Sequence, residues 1–221
     1  MKKQILSIAS AMFLAGTMFL ASCGKDDTNA PVITLKGDAE VVIFLGSDYT
    51  ELGATATDKD GKDNESDVST SIKITGTVDK TKAGAYTITY NCSDEAGNAA
   101  TAVTRKVTVK HKNSTVSGSY STTESCNFGN VAAYVCSITT GSSGELSIVL
   151  SNFGNFQTTL NIPATLSGDF NEKITLASGT YSGLTMSGTG TIEPDGKKIS
   201  ITYSSSSGTS TDNCTATWNK Q

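Results

Sequence analysis

From Tyr86 to Cys92 the chain reads Tyr-Thr-Ile-Thr-Tyr-Asn-Cys, with a bulky or apolar side chain at every second residue. That spacing puts Tyr86, Ile88, Tyr90 and Cys92 on one face and Thr87, Thr89 and Asn91 on the other. It is the pattern of a strand with one buried side. The alternation returns at Leu146, Ile148 and Leu150, at Ile199, Ile201 and Tyr203, and at Cys214, Ala216 and Trp218. Ser, Thr and Gly abound around these segments, and no long run carries the period of an amphipathic helix. A chain patterned in this way is restricted to all-β architectures.

The 221 residues suit two domains of roughly 100 residues each. In the first half, Pro31–Leu35, Val41–Leu45, Ala54–Thr57, Ser71–Thr75, Tyr86–Cys92 and Val103–Val109 read as six short strands, a spacing that predicts a sandwich. Asp94-Glu-Ala-Gly-Asn98 is a turn, with Gly97 and Asn98 tolerant of positive φ. Lys110-His-Lys-Asn-Ser-Thr115 forms a polar junction. Beyond it, Val116, Gly118 and Tyr120 share a face, and eight or nine strands follow with no convincing helix. Short turns such as Glu193-Pro-Asp-Gly-Lys197 join them, which favours an up-and-down barrel or a closed sandwich. Gly179, Gly183, Gly188 and Gly190 suit tight barrel corners.

The N-terminus is organised differently. Lys2 and Lys3 precede an uncharged apolar run from Ile5 to Leu20, too short for a membrane span and built like a secretory signal. Leu20-Ala-Ser-Cys23 resembles a bacterial lipobox. The resemblance implies cleavage before Cys23 and acylation of that residue, palmitate among the chains, as a membrane anchor. Each buried methylene contributes about 0.8 kcal/mol, so two or more chains hold a protein in the bilayer. Lys25, Asp26 and Asp27 are similar to the Bacteroidota lipoprotein export signal, which implies display on the outer face of the outer membrane. The expected layout is a signal peptide at 1–22, a lipidated tether at 23–29, and domains at 30–110 and 114–221. The tether reaches roughly 20 Å from the bilayer.

Loss of residues 1–22 removes Lys2 and Lys3, so 15 basic and 21 acidic side chains remain, a net charge of −6. No basic patch is present, which excludes nucleic acid as a partner. Export makes Cys92, Cys126, Cys136 and Cys214 candidates for disulfides. Cys92 stands alone in the first half and reads as a small buried apolar residue.

Pro31-Val-Ile-Thr-Leu35, Gly53-Ala-Thr-Ala-Thr-Asp58, Gly84-Ala-Tyr86 and Tyr90-Asn-Cys-Ser-Asp-Glu-Ala-Gly-Asn98 resemble the bacterial surface immunoglobulin-like domain, the type repeated in a pesticidal crystal protein. Tyr86 falls where such folds often keep a corner tyrosine. Cys92 occupies a position like the second immunoglobulin cysteine but has no upstream partner. The resemblance implies a spacer or binding module. The second half is similar to the small lipocalin-like or calycin-like β-domains that end many exported Bacteroidota lipoproteins. It departs from lipocalins in carrying its only tryptophan, Trp218, on the last strand. If that barrel closes, its first and last strands become neighbours. A Cys126–Cys214 bridge is then favoured, with Cys126–Cys136 the alternative.

His111 is the only histidine, and it lies in the junction. Ser-His-Asp and Cys-His devices and multi-histidine zinc sites are thereby disfavoured. The carboxylates of Asp58-Lys-Asp-Gly-Lys-Asp-Asn-Glu65 fail EF-hand spacing, because Lys62 stands where an oxygen ligand belongs, and read as a solvated turn. Glu145, Asp169 and Glu172 are the acids that a glycosidase-like pair would draw upon. No enzyme, cofactor or metal is expected. The expected role is an immunoglobulin-like spacer presenting a C-terminal domain to a glycan or protein partner. Tyr134, Phe153, Phe156, Tyr181 and Trp218 are the available rings. The alternatives are an accessory subunit of a surface complex, or a carrier of a small apolar ligand.

Overall fold

The computed structural model describes residues 26–156 and 160–221. The signal segment 1–22, Cys23 and Lys25 lie outside these residues. Among the described residues the first module has seven strands: β1 (Val32–Leu35), β2 (Glu40–Phe44), β3 (Ala54–Lys59), β4 (Glu65–Asp67), β5 (Lys73–Thr75), β6 (Gly84–Asn91) and β7 (Val103–Lys110). They form two sheets, ordered β1-β3-β4 and β2-β7-β6-β5. All neighbours are antiparallel except β2 and β7, which run parallel. Ile33 and Ala56 from one sheet meet Ile88, Tyr90 and Cys92 from the other to form the core. The inward face of β6 is the one that alternation marks.

Two polar devices brace this sandwich. The Tyr86 hydroxyl donates to the Lys82 carbonyl at 2.8 Å, pinning the corner where β6 begins. Arg105 on β7, 1 % exposed, donates to Glu51 at 2.6 Å and to the Lys36 carbonyl at 2.5 Å. Glu51 also accepts from the Tyr49 and Tyr90 hydroxyls and the Gly53 amide. Burial opposes the Glu51 charge, but these donors and the guanidinium together hold its carboxyl below the usual range. The residues expected as one acidic loop divide differently. Asp58 and Lys59 complete β3, and Glu65 begins β4, an exposed edge strand held by β3 rather than by its own propensity.

A single helical turn, α1 (Asn113–Val116), leads into the second module. Nine strands follow: β8 (Gly118–Cys126), β9 (Gly129–Thr140), β10 (Ser147–Ser151), β11 (Asn161–Ser167), β12 (Lys173–Leu176), β13 (Gly179–Tyr181), β14 (Leu184–Ile192), β15 (Lys198–Ser207) and β16 (Ser210–Lys220). Each pairs antiparallel with its neighbour, β12 pairs with β14, and β16 returns to β8. Eight strands therefore close into a barrel, with β13 added alongside β14. Inward residues fill it: Tyr120, Ile138, Ile148, Leu150, Ile162, Ile174, Ile199 and Trp218 are all essentially unexposed. Gly188 and Gly190 bring β14 hard against β15. A Cβ at Gly188 would stand 2.6 Å from the Thr202 carbonyl oxygen, and one at Gly190 2.8 Å from that of Ser200.

The lower end of the barrel rests on the first module. The Pro194 carbonyl, in the Glu193–Lys197 turn, accepts from the Ala83 amide at 2.7 Å. The backbone of His111 is held on both sides: its amide donates to the Phe170 carbonyl at 2.9 Å, and its carbonyl accepts from Asn171 at 2.7 Å. Lys112 places its ammonium 4.7 Å from the centre of the Phe44 ring. Because β6 starts beside this junction, the Asp94–Asn98 turn that follows it lies at the opposite pole, where Asn98 donates to the carbonyl of Asp27. The N-terminal segment around Asp27 therefore meets one pole of the first module, and the barrel is mounted on the other.

Candidate functional site

The barrel end remote from the junction is built from the β8–β9 turn, the segment after β10, and the β15–β16 hairpin. Asn127 and Phe128 span the first of these, clamped by bonds from the Asn127 amide to the Asn213 carbonyl at 3.1 Å and from the Phe128 amide to Asp212 at 3.3 Å. This clamp projects the Phe128 ring outward, 75 % exposed. Beside it opens a hollow of about 270 Å³, whose lining includes Phe128, Asn130, Phe156 and Asp212 above Tyr203. An exposed ring next to amide and carboxylate groups can cover an apolar sugar face while its neighbours bond the hydroxyls.

The floor beneath is rigid. A bulge in β9, between the Thr122–Tyr134 and Glu124–Val131 pairs, adjusts the register here. Glu124 is nonetheless buried, and it accepts from the Tyr134 hydroxyl at 2.7 Å. Burial pushes its carboxyl up, against the lowering effect of the Tyr134 and Tyr203 hydroxyls. Tyr134 in turn accepts from the Gly154 amide at 3.1 Å, which fixes the loop carrying Phe153. Phe153 closes the barrel axis, edge-on to Tyr203 at 4.6 Å between ring centres and tilted to Trp218 at 5.8 Å. Among the described residues, aromatic rings occupy this part of the barrel axis.

Cys126 and Cys214 form a disulfide at the rim, on strands that are direct neighbours. They approach Asp212 closely enough to suggest a ligand cluster, but both sulfurs are consumed by the bridge. Cys136 is a buried free thiol, and burial pushes it up to about 12, so it behaves as a packing group. Cys92 is likewise free and buried.

Of the rings singled out by sequence, Phe153 and Trp218 are core, Tyr134 and Tyr181 are half-buried, and Phe156 reaches the rim. Phe128 was missed, since a lone apolar residue in a turn has no periodicity to reveal it. The three acids separate by role. Glu145 is exposed before β10, while Asp169 and Glu172 share the β11–β12 turn, where Glu172 accepts the Phe170 amide at 3.0 Å. Asp26 is exposed, and Asp27 is half-buried at the base of the first module. Among the described residues no helix is long and apolar enough to cross a membrane.

The molecule is an all-β protein in which an immunoglobulin-like sandwich carries a closed antiparallel barrel. Residues 33–109 match the family model of the bacterial surface protein Ig-like domain, and the first module is a domain of that kind. Among solved structures, a lipoprotein from Bacteroides thetaiotaomicron is 20 % identical, with 86 % of this chain and 100 % of that chain covered and a TM-score of 0.36. A candidate outer membrane protein from Bacteroides fragilis is 14 % identical, with 88 % and 89 % covered and a TM-score of 0.33. No curated protein matches the chain.

Proposed function

We propose that the chain is a non-enzymatic, surface-displayed lipoprotein of the outer membrane, which uses its immunoglobulin-like module as a spacer and binds a glycan at the distal rim of the barrel. Support for the anchor is the apolar leader ending in Leu20-Ala-Ser-Cys23, with Lys25, Asp26 and Asp27 as the address. The division at 30–110 and 114–221 separates spacer from binding domain. The observation that carries the binding role is Phe128, held outward by Asp212 beside the rim hollow.

A glycan array probed with the purified protein tests this role. The wild type binds a defined subset of glycans, and Phe128→Ser weakens that binding roughly tenfold or more at unchanged thermal stability. Equal binding by the variant would remove the rim from consideration. Capture of one protein partner from intact cells, with no glycan bound, would assign the chain instead to a surface complex as an accessory subunit.

A further inference from the structure

Asp27 in the tether, Asp58 at the end of β3 and Asp94 after β6 come from three separate segments, yet one carboxylate oxygen of each lies within 4.8 Å of the other two. They line a hollow of about 480 Å³ that also contains Asp60, Ser66 and Glu95. Asp58 is only 7 % exposed, and its buried Oδ1 has no hydrogen-bond partner. Among the described residues, no Lys or Arg forms an ion pair with any of the three. A buried carboxylate oxygen without a partner, facing two like charges, is costly unless a cation joins them.

The other two carboxylates are already aimed. Asp94 accepts from the Asn98 amide at 2.7 Å and from the Asn98 side chain at 2.8 Å, and that side chain also holds the Asp27 carbonyl at 3.2 Å. The Asn29 amide donates to Asp27 at 3.0 Å. Each oxygen retains a lone pair for coordination. We propose that Asp27, Asp58 and Asp94 bind a hard divalent cation, calcium by their all-oxygen donor set, and that this ion fastens the tether to the base of the immunoglobulin-like module. The smaller magnesium ion demands a stricter octahedron and sheds water reluctantly, which suits three carboxylates from independent segments less well.

The test uses the full-length protein purified in detergent and stripped with EDTA. Calcium raises the melting temperature of the wild type, with half-saturation at roughly 0.1–1 mM, the range of extracellular modules. Asp58→Asn and Asp27→Asn each weaken that response by about tenfold or more. In EDTA, Asp58→Asn melts no lower than the wild type, because a repulsive charge has gone, which separates loss of binding from loss of fold. No response of the wild type to calcium, or an equal response from both variants, overturns the proposal. An equal response to magnesium overturns the calcium assignment. Destabilisation of the stripped protein by Lys25→Ala, with no calcium response, would give the counter-charge to Lys25 and also overturn it.

Discussion

Cys126 and Cys214 are backbone partners as well as disulfide partners: they face each other directly in the β8–β16 pairing, with Cα atoms 4.1 Å apart. The bridge therefore sits on the seam where the barrel closes and ties together positions 88 residues apart.

Because the seam is already zipped by its backbone bonds, the bridge acts chiefly on the unfolded chain. On the chain-entropy account a loop of this length contributes about 4–5 kcal/mol. The double variant Cys126→Ser, Cys214→Ser is expected to lose most of that stability in denaturant melts of the barrel, with the immunoglobulin-like module unchanged. A loss below about 1 kcal/mol would show that the seam holds equally well without sulfur.

Arg105 and Glu51 brace the first module. Arg105→Met leaves the Glu51 carboxylate without its cation, a change that costs about 3 kcal/mol when one partner of a buried pair is removed. Glu51→Gln alone strands the buried guanidinium. In a double-mutant cycle, the pair of substitutions costs less than the sum of the two singles. Strict additivity would mean that the two groups act independently.

Gly188 cannot accept a side chain without moving β15. Gly188→Val places its Cβ about 2.6 Å from the Thr202 carbonyl oxygen and the Tyr203 Cβ. We expect the barrel to lose roughly 3 kcal/mol or more, as overpacking and strain combine. Gly183→Ala, where nothing lies within 4 Å but φ is +85°, should cost about 1 kcal/mol. The ranking of the two, read from chemical denaturation, checks the account.

His111 gives the junction a pH dependence. Burial holds its pKa below the ordinary value, opposed by the Glu172 and Asp195 charges and assisted by Lys220. The folded state therefore keeps the neutral ring while the unfolded chain takes up a proton near pH 6.5. Its contribution is complete above that pH and falls as pH drops toward the folded value, by up to about 1.4 kcal/mol per pH unit. Glu124 works in the opposite sense: its raised carboxyl loses stability as pH rises from about 4.3 toward its higher folded value, which offsets part of the His111 slope. On going from pH 7.5 to 5, melts should show the wild type losing more stability than His111→Leu does.

Strands with one dry face were legible wherever alternation ran for several residues, as in β6, β15 and β16. The strand count and short turns narrowed the second module to a barrel or a closed sandwich, and the β16–β8 pairing makes it the barrel. What escaped notice had no local signature. β4 consists of Glu65, Ser66 and Asp67, residues that resist strands and are held there by β3. Phe128 is exposed on a turn held by the hydrogen bond from its amide to Asp212, 84 positions away. Asp27 reads locally as part of a solvated tether, and only the fold brings Asp58 and Asp94 to it.

The parallel run of β2 beside β7 has a mechanical consequence for a protein held at both ends. In a chain pulled at its two ends, the load passes first through β1 and its antiparallel pairing with β3; once it reaches β2, that strand is drawn backward along its own axis while β7 is drawn forward. The five register pairs from Glu40–Lys106 to Phe44–Lys110 then carry the load side by side, in shear. An antiparallel partner would have peeled away one bond at a time. Under the proposed anchoring and rim binding, drag on a bound partner would be met by all of these bonds together.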